Sequence, residues 1–144
     1  MKKIRMYTVL IFMLMLCILS NSRNYKKLFA ANDDFEITWD GTLVSYKGKA
    51  ANVVIPDGVT IIGEYAFSWN ENIKKVVIPN SVKIIKDSAF FSCKSLKEIN
   101  IPSSVIELGN SVFQYCSSLE KIELPDSIYK YGNDLFMGRS NLSS

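Results

Sequence analysis

Pro56, Pro79, Pro102 and Pro125 stand at one fixed interval of 23 residues, and the residues around each proline repeat with it. Cut at that interval, the chain reads VVIPDGVTIIGEYAFSWNENIKK (53–75), VVIPNSVKIIKDSAFFSCKSLKE (76–98), INIPSSVIELGNSVFQYCSSLEK (99–121) and IELPDSIYKYGNDLFMGRSNLSS (122–144). A period of roughly 20–50 residues marks a stack of small units, because no single copy can bury its apolar face alone. The expected architecture is a solenoid, and the fold reduces to the shape of one coil.

The columns of the repeat describe that coil. The first position holds Val53, Val76, Ile99 and Ile122, and the third holds Ile55, Ile78, Ile101 and Leu124. Apolar residues two apart point the same way on a strand, so these positions predict a short strand facing inward. Stacking turns the strands into a parallel ladder with about 4.8 Å per step. Proline beside the strand removes a ladder donor and ends it. Asp57-Gly58, Asn80-Ser81, Ser103-Ser104 and Asp126-Ser127 then form turns, with proline expected at the second turn position. Further core columns are Val59, Val82, Val105 and Ile128, then Ile62, Ile85, Leu108 and Tyr131. Ala66, Ala89, Val112 and Leu135 follow, and Ile73, Leu96, Leu119 and Leu142 close the coil. Phe67, Phe90, Phe113 and Phe136 share one column and predict a continuous aromatic spine. Before them, Glu64, Asp87, Asn110 and Asn133 occupy a column suited to capping a short helical turn.

Residues 1–31 read as a leader. Lys2, Lys3 and Arg5 precede an apolar run from Met6 to Leu19, which is the layout of a secretory signal peptide. The run is shorter than the about 20 residues a membrane-spanning helix needs. Removal, near residue 22 or near 30–31, leaves a secreted or cell-surface chain with no membrane contact; retention makes the run a membrane anchor. Leu16 precedes Cys17, where a lipoprotein signal wants a small residue. Six of the 17 Lys+Arg lie in the leader and all 14 Asp+Glu lie beyond it. The chain from residue 32 therefore carries 11 cations against 14 carboxylates, a net charge of −3, and a cut after Ser22 gives zero. Neither balance supplies the basic surface that tracks phosphates, so nucleic acid is not an expected partner. Residues 32–52 predict a hairpin that caps the first coil's apolar cross-section. Phe35, Ile37 and Trp39 alternate, Asp40-Gly41 supplies a tight turn, and residues 42–46 return.

The repeat I-x-I-P-x-S-V-x-x-I-x-x-x-A-F-x-x-C-x-S-L-x-x resembles the BspA-like leucine-rich repeat family, also called the treponemal type. Ile78-Pro79-Asn80-Ser81-Val82, Ala89-Phe90, Cys93 and Leu96 match it almost in full. The resemblance covers residues 53–144, with a family-like lead-in from about Phe35; the fourth copy departs at Leu135-Phe136-Met137-Gly138-Arg139. It implies a secreted or surface-attached protein that binds other proteins, often host or extracellular-matrix components.

The chain has no histidine. Ser–His–Asp and Cys–His sites are thereby excluded, as is any imidazole-bound metal. Asp and Glu scatter over turns and strand edges rather than pairing as acid and base. No phosphate loop or dinucleotide fingerprint is present. No enzymatic activity, cofactor or metal is expected. Cys93 and Cys116 share a column in adjacent coils, about 5 Å apart by ladder spacing. That distance allows a disulfide, although parallel side chains rarely offer the roughly 90° torsion it needs. Buried free thiols are the other reading, and Asn70 in the same column favours a structural post.

Solenoids meet partners on strand residues that face away from the core. Those positions are Lys74, Lys75, Lys97, Glu98, Asn100, Glu120, Lys121 and Glu123, with Val54 and Val77 among them. Trp69, Tyr115 and Tyr129 are candidate aromatic anchors. The expected fold is an α/β solenoid: a short leucine-rich-repeat array of four 23-residue repeats behind an N-terminal β-hairpin cap. The expected function is non-catalytic, adhesion-like protein–protein binding; the alternative is a structural fragment or spacer of a larger surface protein. The array ends at the last residue of its fourth repeat without a distinct cap, which predicts self-association through that coil.

Overall fold

The computed structural model describes residues 33–120 and 122–138. The leader, Lys121 and the end of the fourth repeat, Arg139 and Leu142 included, lie outside the described residues. The inward-facing strands form where the columns place them in three coils. β3 (Asn52–Val54), β5 (Lys75–Val77) and β7 (Glu98–Asn100) make a three-stranded parallel sheet in that order. Val53 pairs with Val76 and Val76 with Ile99, so the register equals the sequence period. Val53, Val76 and Ile99 are buried, while Val54, Val77 and Asn100 face solvent. Alternation along the strand fixes this choice of face.

A second ladder accompanies the first. β1 (Phe35–Ile37) pairs antiparallel with β2 (Thr42–Tyr46). β2 is followed by β4 (Ile61–Ile62), β6 (Ile84–Ile85), β8 (Glu107–Leu108) and β9 (Lys130–Tyr131), all parallel. Strands of two residues show no alternation, so the column pattern alone does not separate them from loop. At the end of this ladder Tyr131, expected in a core column, is half exposed.

The hairpin turn is closed by Gly41, whose φ of 82° lies in the left-handed region and whose amide donates to the Thr38 carbonyl. Trp39, expected to alternate with Phe35 and Ile37, sits in that turn and is exposed. The ladder register slips between Glu36 and Ile37 and ends before it reaches Trp39. The Gly41 carbonyl in turn accepts the Thr60 amide of the first coil at 2.9 Å.

No helix occurs among the described residues, so the fold is a β-solenoid of about four turns and not α/β. The reason lies in the backbone before and after each phenylalanine. Tyr65 and Trp69, Ser88 and Ser92, and Ser111 and Tyr115 all have φ between 54° and 60°. Two left-handed residues four apart cannot belong to a right-handed helix. The amides instead alternate between two acceptors. Ala66, Ser68 and Asn70 donate three residues back within the coil, to Gly63, Tyr65 and Phe67. Tyr65, Phe67 and Trp69 donate to Asp87, Ala89 and Phe91 of the next coil. Every second peptide thus holds two coils together, which a helix would not allow.

The prolines also sit differently from expectation. The Val59, Val82, Val105 and Ile128 amides donate to the carbonyls of Pro56, Pro79, Pro102 and Pro125. Proline is therefore the first residue of each turn, not the second. It ends the strand by lacking a donor and still closes the turn through its carbonyl.

The Glu64, Asp87, Asn110 and Asn133 column has a different role from helix capping. Asp87 Oδ1 accepts the Asn110 amide, and Asn110 Oδ1 accepts the Asn133 amide, each at 2.9 Å. Asp87 and Asn110 thus each cap the coil after their own. The side-chain amide and then the backbone amide of Asn110 hold the Asp87 carboxyl below its ordinary range. A depressed carboxyl contributes stability above the ordinary carboxylate range and loses it as pH falls through its folded value. Asp87→Asn keeps an acceptor but removes the titration. The variant is expected to be less stable than the parent at neutral pH, where the ionised carboxylate contributes, and to lose less stability between about pH 5 and pH 2, so that the two converge in acid, as read by thermal melts. Asp87→Ala is expected to cost about 1 kcal/mol at neutral pH.

The core is one stack. Phe67, Phe90 and Phe113 are buried and stack at 4.8 and 5.7 Å between ring centroids. Tyr46 extends the stack at 5.3 Å from Phe67, and Phe136 at 5.7 Å from Phe113. Ile122, Leu124, Leu135 and Phe136 of the fourth coil pack on the core but remain only partly buried.

Candidate binding surface

The three-stranded sheet brings several candidate residues together through its 23-residue register. Lys75 Nζ lies 2.7 Å from Glu98 Oε1 of the next coil, and Lys97 Nζ lies 4.0 Å from Glu120 Oε1. The mixed charges on this face therefore compensate one another across coils. These pairs are solvent-exposed, so each contributes about 0–1 kcal/mol and mainly favours register. Asn100 is a structural clamp: its Oδ1 accepts the Ile78 amide at 2.9 Å and its Nδ2 donates to the Ile78 carbonyl. The Lys74 carbonyl accepts the amides of Lys97 and Glu98, while its side chain is exposed. Lys121 lies outside the described residues.

One cleft of about 620 Å³ gathers five of the eight candidates. It is lined by Lys97, Glu98, Ile99, Asn100, Ile101, Glu120 and Glu123. Lys74 and Lys75 lie one coil away, outside its lining.

The aromatic anchors divide. Tyr129 is 73% exposed and Trp69 61% exposed, as an anchor requires. Tyr115 packs edge-on against Phe91 at 5.4 Å, and Phe91 meets Trp69 at 5.3 Å. Tyr65 stacks on Trp69 at 5.9 Å. Tyr65 and Phe91 extend this surface row, and the residue columns gave no sign of either. The signal was diagonal: Phe91 occupies the column next to that of Trp69 and Tyr115. A further feature, the Lys130–Glu107 pair at 2.6 Å on the second ladder, repeats the 23-residue spacing. Its hydrogen bond with Glu107 holds the Lys130 ammonium above its ordinary range.

Both described cysteines are free and buried. Cys93 Sγ donates to the Phe67 carbonyl at 3.0 Å, and Cys116 Sγ donates to the Phe90 carbonyl at 3.1 Å. Burial, then the neighbouring Cys116, pushes the Cys93 thiol up to about 12. A thiol held protonated in this way is a core post and not a nucleophile. Asn70, in the same column of the first coil, donates to the Gly48 carbonyl and so bonds back to the preceding segment as the thiols do. Among the described residues no group of three or more Cys, Asp or Glu is placed to hold a metal ion. No helix among them is long and apolar enough to cross a membrane.

Comparison with curated proteins finds no match. Among solved structures, the chain is similar to a T. pallidum leucine-rich repeat protein at 32% identity and a TM-score of 0.66. That match covers 76% of this chain and 53% of the other, so the chain spans about half its length. A leucine-rich repeat protein from Bacteroides capillosus matches at 28% identity and a TM-score of 0.68, over 81% of this chain and 95% of the other. A leucine-rich cell surface protein from Faecalibacterium prausnitzii matches at 27% identity and a TM-score of 0.61, over 72% of this chain and 32% of the other. The model of a BspA-type leucine-rich repeat region, in six copies, matches residues 44–144. The repeat columns, the stacked coils and these matches agree: the chain belongs to the BspA-type leucine-rich repeat family.

Proposed function

We propose that this chain is a non-catalytic protein-binding module, secreted or displayed at the cell surface, that meets a host or extracellular-matrix protein. The observation that carries this reading is the first ladder. It is a fixed array of exposed side chains in 23-residue register, with a cleft on it. Such an array presents contacts without an ordering cost at binding, which is how a solenoid gains affinity. On this reading the hairpin of β1 and β2 caps the first coil, where Phe35 stacks 4.9 Å from Tyr46. The leader directs export and leaves no membrane contact once removed.

The test is solid-phase binding to a panel of immobilised extracellular-matrix proteins. Saturable binding is expected to at least one, weakened tenfold or more by Lys74→Glu with Lys97→Glu. Lys83→Glu, an exposed change outside the cleft and beyond the three-stranded sheet, is expected to leave it intact. Absence of saturable binding, or equal loss with Lys83→Glu, contradicts the reading.

A second reading rests on the fourth coil. Its Leu135 and Phe136 are only half buried and Tyr129, Tyr131 and Met137 are exposed. Another coil stacked there would cover them, either from a second copy or within a larger surface protein in which this array is a spacer. Sedimentation at rising concentration is expected to show a dimer; a monomer throughout contradicts self-association.

A further inference from the structure

The surface row of Tyr65, Trp69, Phe91 and Tyr115 lies outside the three-stranded sheet and its cleft. Three of its rings occupy posts that the coil fills elsewhere with small residues. Tyr65 shares its column with Ser88 and Ser111, and Trp69 and Tyr115 share theirs with Ser92 and Gly138. All of these residues have φ between 54° and 78°, where a small residue is favoured over a bulky one. Serine and glycine thus serve the fold at these posts. The rings gain little there by burial: Tyr65, Trp69 and Tyr115 are 49%, 61% and 44% exposed.

Large and small alternate along one column, in the order Trp69, Ser92, Tyr115, Gly138. Gly138 shows why, since a Cβ added there would lie 2.3 Å from Tyr115 Cδ1. The Tyr115 ring reaches over the next coil, which must be small at that post. Trp69 leans the same way and meets Phe91 of the second coil at 5.3 Å; Phe91 in turn meets Tyr115 at 5.4 Å. The two exposed rings therefore recur every second coil, about 9.6 Å apart by two ladder steps.

The surface beside Trp69 is polar. A shallow cavity of about 360 Å³ joins it to Lys47, Lys49, Glu71 and Asn72. Lys47 is paired with Glu36 at 2.6 Å, and Lys49 and Glu71 bring opposite charges, so the rim has no net charge. Exposed rings beside an amide, an ammonium and a carboxylate suit a neutral ligand rich in hydroxyls. Its C–H faces cover the rings and its hydroxyls meet the polar groups. The two-coil recurrence suits a polymer. In an extended β-linked glucan of the cellulose type, alternate sugars turn the same face to one side at close to that separation.

We propose that the aromatic row binds a neutral, extended β-linked glycan laid along the solenoid axis, with one sugar on Trp69 and the next but one on Tyr115. This goes beyond the protein-binding reading and shares no residue with its cleft.

The test uses the full chain carrying Trp39→Phe, so that tryptophan fluorescence reports Trp69 alone. Titration with cellohexaose is expected to shift that emission saturably. Cellobiose, too short to span both rings, and maltohexaose, whose α-linkage curves the chain, should each bind at least tenfold more weakly. Tyr115→Ser gives the third coil the residue that Ser92 supplies in the second, and is expected to weaken cellohexaose binding tenfold or more. Tyr129→Ser, at an exposed aromatic outside the row, should leave it unchanged. The comparison of sugars needs no variant of Tyr115, so it decides the matter even if that variant folds poorly. Absence of a saturable shift, or equal affinity for cellobiose or maltohexaose, overturns the proposal. Undiminished binding by a folded Tyr115→Ser variant overturns it too. Loss of matrix-protein binding in that variant, with no glycan bound by the parent, would assign the row to the protein partner and also overturn it.

Discussion

Phe90→Ala is expected to cost about 3–5 kcal/mol, the largest loss of any single truncation in this chain. Phe90 is fully buried and lies between Phe67 at 4.8 Å and Phe113 at 5.7 Å. Its backbone amide also donates to Val112 of the next coil, which holds the coil spacing when the ring is gone. The neighbouring coils therefore cannot close over the cavity, and the full cavity term applies. Small domains are stable by only about 5–15 kcal/mol, so this loss removes much of the total. Phe136→Ala, at the half-buried end of the same spine, is expected to cost about 1–2 kcal/mol. Urea unfolding of both variants checks the ratio. Equal losses would contradict a continuous spine.

Gly109→Ala is expected to cost about 2–3 kcal/mol although it adds a single methyl group. A Cβ at Gly109 would lie 2.2 Å from Asp87 Oδ1 and 2.5 Å from the Asp87 amide nitrogen. The coils must separate to admit it, and the Asp87–Asn110 bond must break. The same arrangement recurs one coil later, where a Cβ at Gly132 would lie 2.3 Å from the Asn110 amide nitrogen. There Asn110 Oδ1 caps Asn133. Lys86 fills this column in the second coil, where Glu64 of the preceding coil makes no such bond. A side chain that reaches over to cap the next coil thus demands glycine beside its target. The pair should couple in a double-mutant cycle: Asp87→Ala relieves the carboxylate contact and is expected to recover part of the Gly109→Ala loss. Simple additivity, measured by urea unfolding, would contradict the shared contact.

These cases show where sequence patterns carry structure and where they do not. Val53 and Ile55 announce a strand because alternation is a side-chain property that survives in every copy. The left-handed turns at Tyr65, Trp69 and Tyr115 leave no comparable mark. Bulky residues there give no hint of a positive φ, and the Asp and Asn column reads as an ordinary helix cap. Distinguishing a cap on its own coil from a cap on the next requires knowing that the coils stack without a helix. The glycines at 109 and 132, each following a coil with Asp or Asn in the capping column, were the available signal.

The binding surface was legible in part. Outward strand positions followed from alternation, and five of them share the cleft. The pairs Lys75–Glu98, Lys97–Glu120 and Glu107–Lys130 could also be read directly, since each spans one period. The cleft itself could not. It depends on the fourth coil keeping its apolar column while leaving the ladder, and Ile122-Glu123-Leu124 looks as strand-like as its predecessors.

Pulsed thiol labelling across a urea gradient, mapped by mass spectrometry and set beside circular dichroism, tests whether the coils form one cooperative unit. Cys93 and Cys116 lie in adjacent coils, both buried and both bonded to the carbonyl of the coil before. The expected result is protection of both thiols in native buffer, then labelling of both at the same midpoint as the loss of β-structure. Labelling of either thiol in native buffer, or separate midpoints for the two, would contradict a single continuous stack.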